Sequence, residues 1–313
     1  MSKKIISNLH NSIGNQMFIY ASSYALAKKY NRKLYLDNET NFFRFKYKNK
    51  TTLKIKYSLD CFNLPYAIAD KEDKFVGYFK YIKLKILKFI DKFKNKKDKS
   101  FINEYRNDNK ISKYQKNILS GIKTNKIFLN GHFESEKYFL NIKDEIKKHF
   151  VFKNEIFFKK NKLYSKIRKS NSVAICIRRH RFSEKINKVT SLNLSDSDKF
   201  TLEQVNYIKK VIKIIDKKIK NYRIFLWSND YRNIEKLLNL KKVNLVKTNN
   251  EVLDLFLMSN CKYFITTPST FNWWGAWLSG RKGKKVFRPH ESNFTKFKVN
   301  NIDFWPEKWS IIK

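Results

Sequence analysis

Two adjacent arginines, Arg178 and Arg179, follow the apolar run Ser172–Ile177 in the stretch "SVAICIRRHR". A guanidinium is planar, permanently charged and forked, which suits the oxygens of a diphosphate. Two neighbours at a strand end point to opposite sides, so one can hold a ligand while the other braces its loop. A solvated pair on a basic surface is the competing reading. Further along, "TPSTFNWWGAWLSG" (267–280) offers a second phosphate site. Pro268 has no N–H to give to a ladder and ends the strand before it. Ser269 or Thr270 then caps a helix, whose first turn presents N–H donors and partial positive charge. Trp273, Trp274 and Trp277 are half of the six tryptophans in the chain. They occupy adjoining helical positions and read as packing that anchors this helix start, not as sugar-stacking platforms.

A third polar cluster, Ser228, Asn229 and Asp230, closes the apolar run of "YRIFLWSND". Its carboxylate suits the N–H edge of a purine or a ribose, and equally a helix cap for the residues that follow. In the first half, "SIGNQMF" (12–18) reads as a strand-to-helix turn in which Gly14 permits close backbone approach and Asn15 and Gln16 present amides. A lone glycine is a weak signal, since the stretch is neither GxGxxG nor a P-loop. No HExxH or GxSxG motif and no Cys/His ligand spacing occurs, so no metal or cofactor motif is read here.

These loops need elements to hold them. "KKIISNL", "RKLYLD", "KIFLN", "SVAICI", "YRIFLW", "KVNLV", "KYFITT" and "KKVFRP" read as strands, with helical periodicity between most of them. One such helix is expected over 201–220 with Thr201 as its cap, and another after a cap at Ser135. Strand–helix alternation predicts α/β architecture with parallel, doubly wound sheets. The halves divide within the Lys-rich stretch 153–171, giving an N-terminal α/β domain over 1–160 and a C-terminal Rossmann-like domain over 161–313. In such sheets ligands bind beyond the carboxyl ends of the strands. The three polar clusters of the second half fall there and should converge on one crevice.

Composition supports a folded protein. Of 313 residues, 42% are apolar, with 27 Phe and 17 Tyr, and the seven Gly and four Pro are too few for a turn-rich all-β chain. The formal net charge is +41. The excess is mostly Lys spread along the chain, which reads as compositional drift; a nucleic-acid footprint would cluster it on one face with interleaved aromatics. Such a charge still draws a protein to anionic surfaces. Within 81–100, Ile82, Ile86, Phe89, Ile90 and Phe93 share one helical stripe with lysines beside it. That is the form of a helix lying on an anionic bilayer, or of an ordinary packed helix with a solvated face. Three scattered cysteines imply neither zinc site nor disulfide framework. No signal peptide or membrane span is read, so the expected location is cytoplasmic, with peripheral contact to the inner membrane face as one option.

In order along nearly the whole chain, four stretches resemble the motifs of the bacterial α-1,2-fucosyltransferase family. They are "IGNQMFIYA", "GHFESEKYF" (131–139), "CIRRHR" (176–181) and "STFNWWGAWL" (269–278). The first and last are specific; a double arginine alone is not. The resemblance implies a GT-B-like fold, with two Rossmann-type domains whose parallel sheets face a central cleft. It also implies metal-independent, inverting transfer of fucose from GDP-β-L-fucose to the 2-hydroxyl of a galactosyl residue in a surface glycan of the lipopolysaccharide type. By position, Arg178 corresponds to the pyrophosphate-binding arginine, with Arg179 beside it. Asp230 would read guanine, and Ser269 and Thr270 would lie near the phosphates and sugar. Gly14, Asn15 and Gln16 would complete the donor site, and His132 and Glu134 would face the acceptor. His180, Glu184 and Glu134 are the options for a base. Three positions depart from the family pattern: Cys176 replaces His, His180 replaces Gly and Arg181 replaces Asp. They bear on donor preference. A different nucleotide sugar or linkage, or a catalytically weak nucleotide-sugar-binding relative, are the alternatives.

Overall fold

A computed structural model describes residues 3–43, 56–106, 112–183, 190–240, 243–295, 299 and 301–313. The chain forms two compact units. The first is Met1–Val151 with Ile302–Phe304, and the second is Phe152–Asn301 with Trp305–Lys313.

The first unit is built on a five-stranded sheet in the order β3-β2-β1-β5-β4, and every pairing in it is parallel. The strands are β1 (Lys4–Asn8), β2 (Lys33–Asp37), β3 (Ala67–Ile68), β4 (Phe101–Asn103) and β5 (Lys126–Asn130). β1 reads "KIISN" and is buried along almost its whole length, as expected of a parallel strand covered on both faces. Helix α1 (Ile13–Lys29) is nearly all small or apolar and buries thirteen of its residues. Ser7 and Ser23 share a hydrogen bond of 2.6 Å beneath it, which satisfies two hydroxyls in the core. Helix α2 (Tyr78–Lys92) turns Leu84 inward, onto a cluster with Ile6, Phe75 and Phe128. Its expected apolar stripe does something else: Ile86, Phe89, Ile90 and Phe93 are all at least half exposed. Ser135 caps a short 3-10 turn (Glu136–Tyr138), accepting from Lys137 N, and the α-helix that follows, α3 (Lys143–His149), begins later than expected. The late segment 302–304 closes this unit. Asp303 accepts from Tyr114 N and from Lys137 Nζ, and Phe304 meets Phe18.

The second unit carries a six-stranded sheet, β11-β10-β9-β6-β7-β8, again with every pairing parallel. Its strands are β6 (Asn171–Ile177), β7 (Tyr222–Ser228), β8 (Val243–Leu245), β9 (Tyr263–Ile265), β10 (Lys285–Pro289) and β11 (Ser310–Ile312). Three short helices, α4 (Glu155–Lys159), α5 (Lys162–Arg168) and α7 (Ile234–Leu238), join α6 (Ser191–Lys218), α8 (Glu251–Ser259) and α9 (Thr270–Leu278). The core packs α6 through Tyr207, Ile208, Val211 and Ile215 against Val173, Ile175, Ile224 and Leu226 of the sheet. α6 starts ten residues before the expected cap. Thr190 and Asn193 form a reciprocal capping box at its start, and Thr201 lies mid-helix, its hydroxyl donating to Ser197 O. The polar "SLNLSDSD" hid this extension, because its apolar residues are too few to show a helical period.

Close packing at one glycine gives a stability prediction. A Cβ on Gly131 would sit 2.5 Å from Glu104 Cβ and 2.8 Å from the Phe133 ring. Gly131→Ala is therefore expected to cost about 1–3 kcal/mol through overpacking. The measurement is the urea midpoint, and an unchanged midpoint would show that the loop yields freely.

Candidate active site

In the second sheet the chain runs outward from β6 to β8 on one side and from β9 to β11 on the other, creating a topological switch point where open α/β sheets take ligands. In the second unit that point lies between β6 and β9. Arg178 follows β6, and Thr266 to Ser269 follow β9. The two strand ends are tied directly, for Thr267 Oγ1 donates to Cys176 O at 3.0 Å. Pro268 is buried, and Thr266 fixes the turn from the other side through N–H and Oγ1 bonds to Phe287 O. α9 then begins at Thr270 with Ser269 as N-cap. The Ser269 hydroxyl makes no capping bond, so the side-chain cap that the sequence suggested at this position is not formed by Ser269. Trp273 and Trp274 are completely buried and contact one another and Trp277, and Trp273 also meets Trp309. The aromatic helix is packing, as its spacing implied.

The paired arginines are positioned through their backbones. Arg178 N donates to Gln204 Oε1 (3.1 Å), and Gln204 Nε2 returns a bond to Arg178 O (2.9 Å). Gln204 is fully buried in α6, so this reciprocal pair fixes the strand exit to the helix. Arg179 is matched in the same way by Asn229, at 2.7 and 2.9 Å. Its side chain turns toward β7, with Nη1 on Arg232 O at 2.6 Å and 3.5 Å from Asp230 Oδ2. Arg179, expected beside the donor, here turns its guanidinium onto its own loop and braces it.

Asp230 is the centre of that brace. Arg232 binds its carboxylate through Nε and Nη2, and His180 Nε2 lies 2.8 Å from Oδ2. These contacts, with Arg232 the larger and His180 next, hold the carboxyl far below the usual carboxylate range. His180 itself takes a left-handed backbone, φ 58°. A residue with a Cβ is disfavoured there and glycine is not, which fits the glycine of the resembling motif. Burial pushes the Cys176 thiol up to about 12, so it stays protonated. Glu184 lies outside the described residues.

Two residues of this region carried little sequence signal. Gln204 looks like any polar residue of an amphipathic helix. Asp254, in α8, accepts from Trp227 Nε1 (3.2 Å) and Thr248 Oγ1 (2.8 Å), and burial pushes it up to about 6. Its one hint is an acid between apolar neighbours in "EVLDLFLMS".

In the first unit the neighbouring central strands are β1 and β5. His10 follows β1, and Gly131, His132 and Glu134 follow β5. The His10 and His132 rings meet edge to face at 4.6 Å, and His10 Nε2 pairs with Gly131 O at 3.0 Å. Burial first, then His132, pushes His10 down to about 3, so its imidazole is neutral. Glu104 accepts from the His132 and Phe133 amides, at 2.8 and 2.9 Å. This holds Phe133 at φ 53°. His10 and Glu104 escaped sequence reading because their partners are distant in the chain. Glu134 accepts from Asn15 Nδ2 at 2.9 Å, and His132 Nδ1 is 3.6 Å from the same oxygen. Gly14 is buried inside the first turn of α1 rather than in an open loop. Gln16, expected to present its amide to a ligand, instead is fully buried. Its Nε2 donates to Asn11 O and Lys56 O, and its Oε1 accepts from Ser58 N, so it braces the loops around it.

Among the described residues no group of three or more His, Cys, Asp or Glu side chains is placed to hold a metal ion. The Asp196-Ser197-Asp198 triplet has DxD spacing but lies within α6, where Ser197 is bound to Asn193 O. Among the same residues no helix is long and apolar enough to cross a membrane.

Two parallel α/β units, with the strand end before Arg178 tied to the turn before α9, have the architecture of GT-B-like glycosyltransferases. A solved NodZ α-1,6-fucosyltransferase soaked with GDP-fucose shares this fold at TM-score 0.52 and 12% identity, over 94% of this chain and 97% of that one. An Arabidopsis thaliana FUT1 variant in complex with GDP matches at 0.50 and 12% identity, over 93% of this chain and 71% of that one. The model of glycosyl transferase family 11 matches residues 4–313, and the chain belongs to that family. Among curated relatives, an Escherichia coli alpha-1,2-colitosyltransferase is 29% identical, with 97% of each chain covered. The O-antigen biosynthesis glycosyltransferase WbnK of Escherichia coli is 27% identical, over 91% of this chain and 93% of its own length. The protein is thus a glycosyltransferase of family 11.

Proposed function

We propose that this glycosyltransferase moves L-fucose from GDP-β-L-fucose to the 2-hydroxyl of a galactosyl residue in a surface glycan of the O-antigen type, with inversion and without a metal. The observation that carries the reading is the junction of Arg178 with the start of α9 across the Thr267–Cys176 clip. In inverting transfer the acceptor oxygen bonds to the anomeric carbon as the bond from that carbon to the diphosphate breaks. The electron pair leaves on GDP. Arg178 and the N–H groups of α9 supply fixed positive charge for it, the kind of preorganised term that dominates many enzymes. In this reading Thr270 and Ser269 line the phosphates and the sugar. Asp230 reads guanine only if the exposed Arg232 swings away; with Arg232 in place it organises the loop. His132 and Glu134 serve the acceptor.

The acceptor proton is assigned to His180. Donation from its Nε2 to Asp230 leaves Nδ1 as the basic nitrogen. Glu134 is engaged by Asn15. His180→Ala is expected to lower kcat by ~10²–10³-fold, with the donor KM within about threefold, since a general base binds neither ground state strongly. A rise in donor KM at unchanged kcat would show that His180 only holds the loop.

A second reading, transfer of colitose instead of fucose, is favoured by the relative that is 29% identical along almost its whole length. Purified protein offered GDP-fucose, GDP-colitose and UDP-sugars with galactosyl acceptors separates the two. GDP release from one GDP-sugar, an α-1,2 product by NMR and no loss with EDTA are expected. Turnover with UDP-sugars alone would overturn the proposal.

A further inference from the structure

Helix α2 presents its hydrophobic stripe away from the protein. Phe79, Ile82, Ile86, Phe89, Ile90 and Phe93 are 85, 38, 54, 60, 50 and 78% exposed. At 3.6 residues per turn they lie opposite Leu84 and Asp91, the two residues that the helix buries. The helix therefore has two apolar sides. One, with Tyr81, Leu84 and Leu87, packs on the sheet. The other is exposed, with nothing among the described residues packed over it.

Charge surrounds the outer side. Helical spacing puts Lys83 on one flank and Lys85 and Lys92 on the other, all exposed. The helix holds one acid, Asp91. It is buried, and it accepts from Ser100 N and Phe101 N. Long aliphatic stems with cationic tips on both flanks of an apolar stripe let the stripe sink while the charges stay at headgroup level. A helix of fifteen residues is about 22 Å long, too short for the roughly 30 Å hydrocarbon core. It can lie in the interface but not span it.

We infer that the outer face of α2 is a docking surface for an anionic phospholipid bilayer, with Ile86 and Phe89 at the centre of the inserted stripe. Charge complementarity selects this occupant. A second copy of the chain would bring the same lysine flanks together with no carboxylate on the outer face to receive them, in a protein of formal net charge +41. A neutral partner would leave the flanks without purpose. Lipid phosphates meet both rows at once.

The test uses the full chain and extruded vesicles of phosphatidylcholine with or without phosphatidylglycerol. Sedimentation with the anionic vesicles only is expected. Ile86→Ser with Phe89→Ser should weaken it by ~10-fold or more, as loss of inserted apolar area requires. Lys83→Gln with Lys85→Gln and Lys92→Gln should weaken it similarly and reduce its sensitivity to salt. In Phe89→Trp, tryptophan emission should shift to the blue when anionic vesicles are added. Circular dichroism melts check that each variant folds. Protein that stays in the supernatant with anionic vesicles overturns the inference. So does equal binding by the serine variant, which would leave only diffuse charge attraction. A shift in elution volume for the serine variant without lipid would assign the face to self-association instead.

Discussion

Arg178→Ala is expected to lower kcat by about 10²–10³-fold, equivalent to roughly 3–4 kcal/mol of lost transition-state stabilisation. The prediction is specific to the side chain. The backbone of Arg178 is held on both its N–H and its carbonyl by buried Gln204, so truncation leaves the strand exit in place. Arg179 provides the internal control. Its guanidinium is already spent on Arg232 O and on the edge of Asp230. Arg179→Ala should thus act mainly through loop order, with a smaller effect that falls on KM as much as on kcat. Rates of GDP release measured at saturating donor, beside thermal melts of both variants, decide the matter. Full activity in Arg178→Ala would remove the cationic half of the proposed donor site. A melt lowered as far as the rate would mean that the arginine supports the fold instead.

Trp273→Ala carries the largest expected effect on stability, a loss of about 3–5 kcal/mol. Trp273 is fully buried and touches Trp274, Trp277 and Trp309, so its removal leaves a cavity with rigid walls. Its backbone N–H, which alanine keeps, makes the first helical bond of α9 to Ser269 O at 3.0 Å, so the substitution removes the anchor of the helix start and not the helix. Function should therefore fail before the unit unfolds: the helix start would lose its fixed position while the sheet persists. Urea denaturation followed through the remaining tryptophans gives the first quantity. Turnover of the variant at low temperature, where it is still folded, gives the second. Wild-type turnover in a variant that has lost that much stability would separate the helix start from the chemistry.

The parallel sheets were legible because buried strands such as "SVAICI" are continuous apolar runs, and because Pro268 stops β9 visibly. The convergence of "RRHR", "SND" and "TPST" followed from the switch-point rule once those strands were placed. The side-chain partners that escaped reading share one physical cause: long-range pairing. Gln204 meets Arg178 across 26 positions, Glu104 meets the Phe133 amide across 29, and Gln16 meets Ser58 across 42. Nothing local marks such partners. The helix starting at Ser191 escaped for a different reason. Its first two turns have hardly any apolar face, and a capping box at Thr190, a short-range device, begins it instead. The stripe on α2 was visible as a period, but periodicity cannot say which way a stripe faces.

The return of residues 302–304 to the first unit means that the covalent order of the chain does not coincide with its folding bodies. Severing the peptide between Val151 and Phe152 would deprive the leading fragment of Asp303 and Phe304, and with them the acceptor for Tyr114 N and the ring beside Phe18. The leading piece alone lacks contacts that complete its unit. Swapping whole halves between relatives to exchange sugar preferences must carry this tripeptide along with the half it completes.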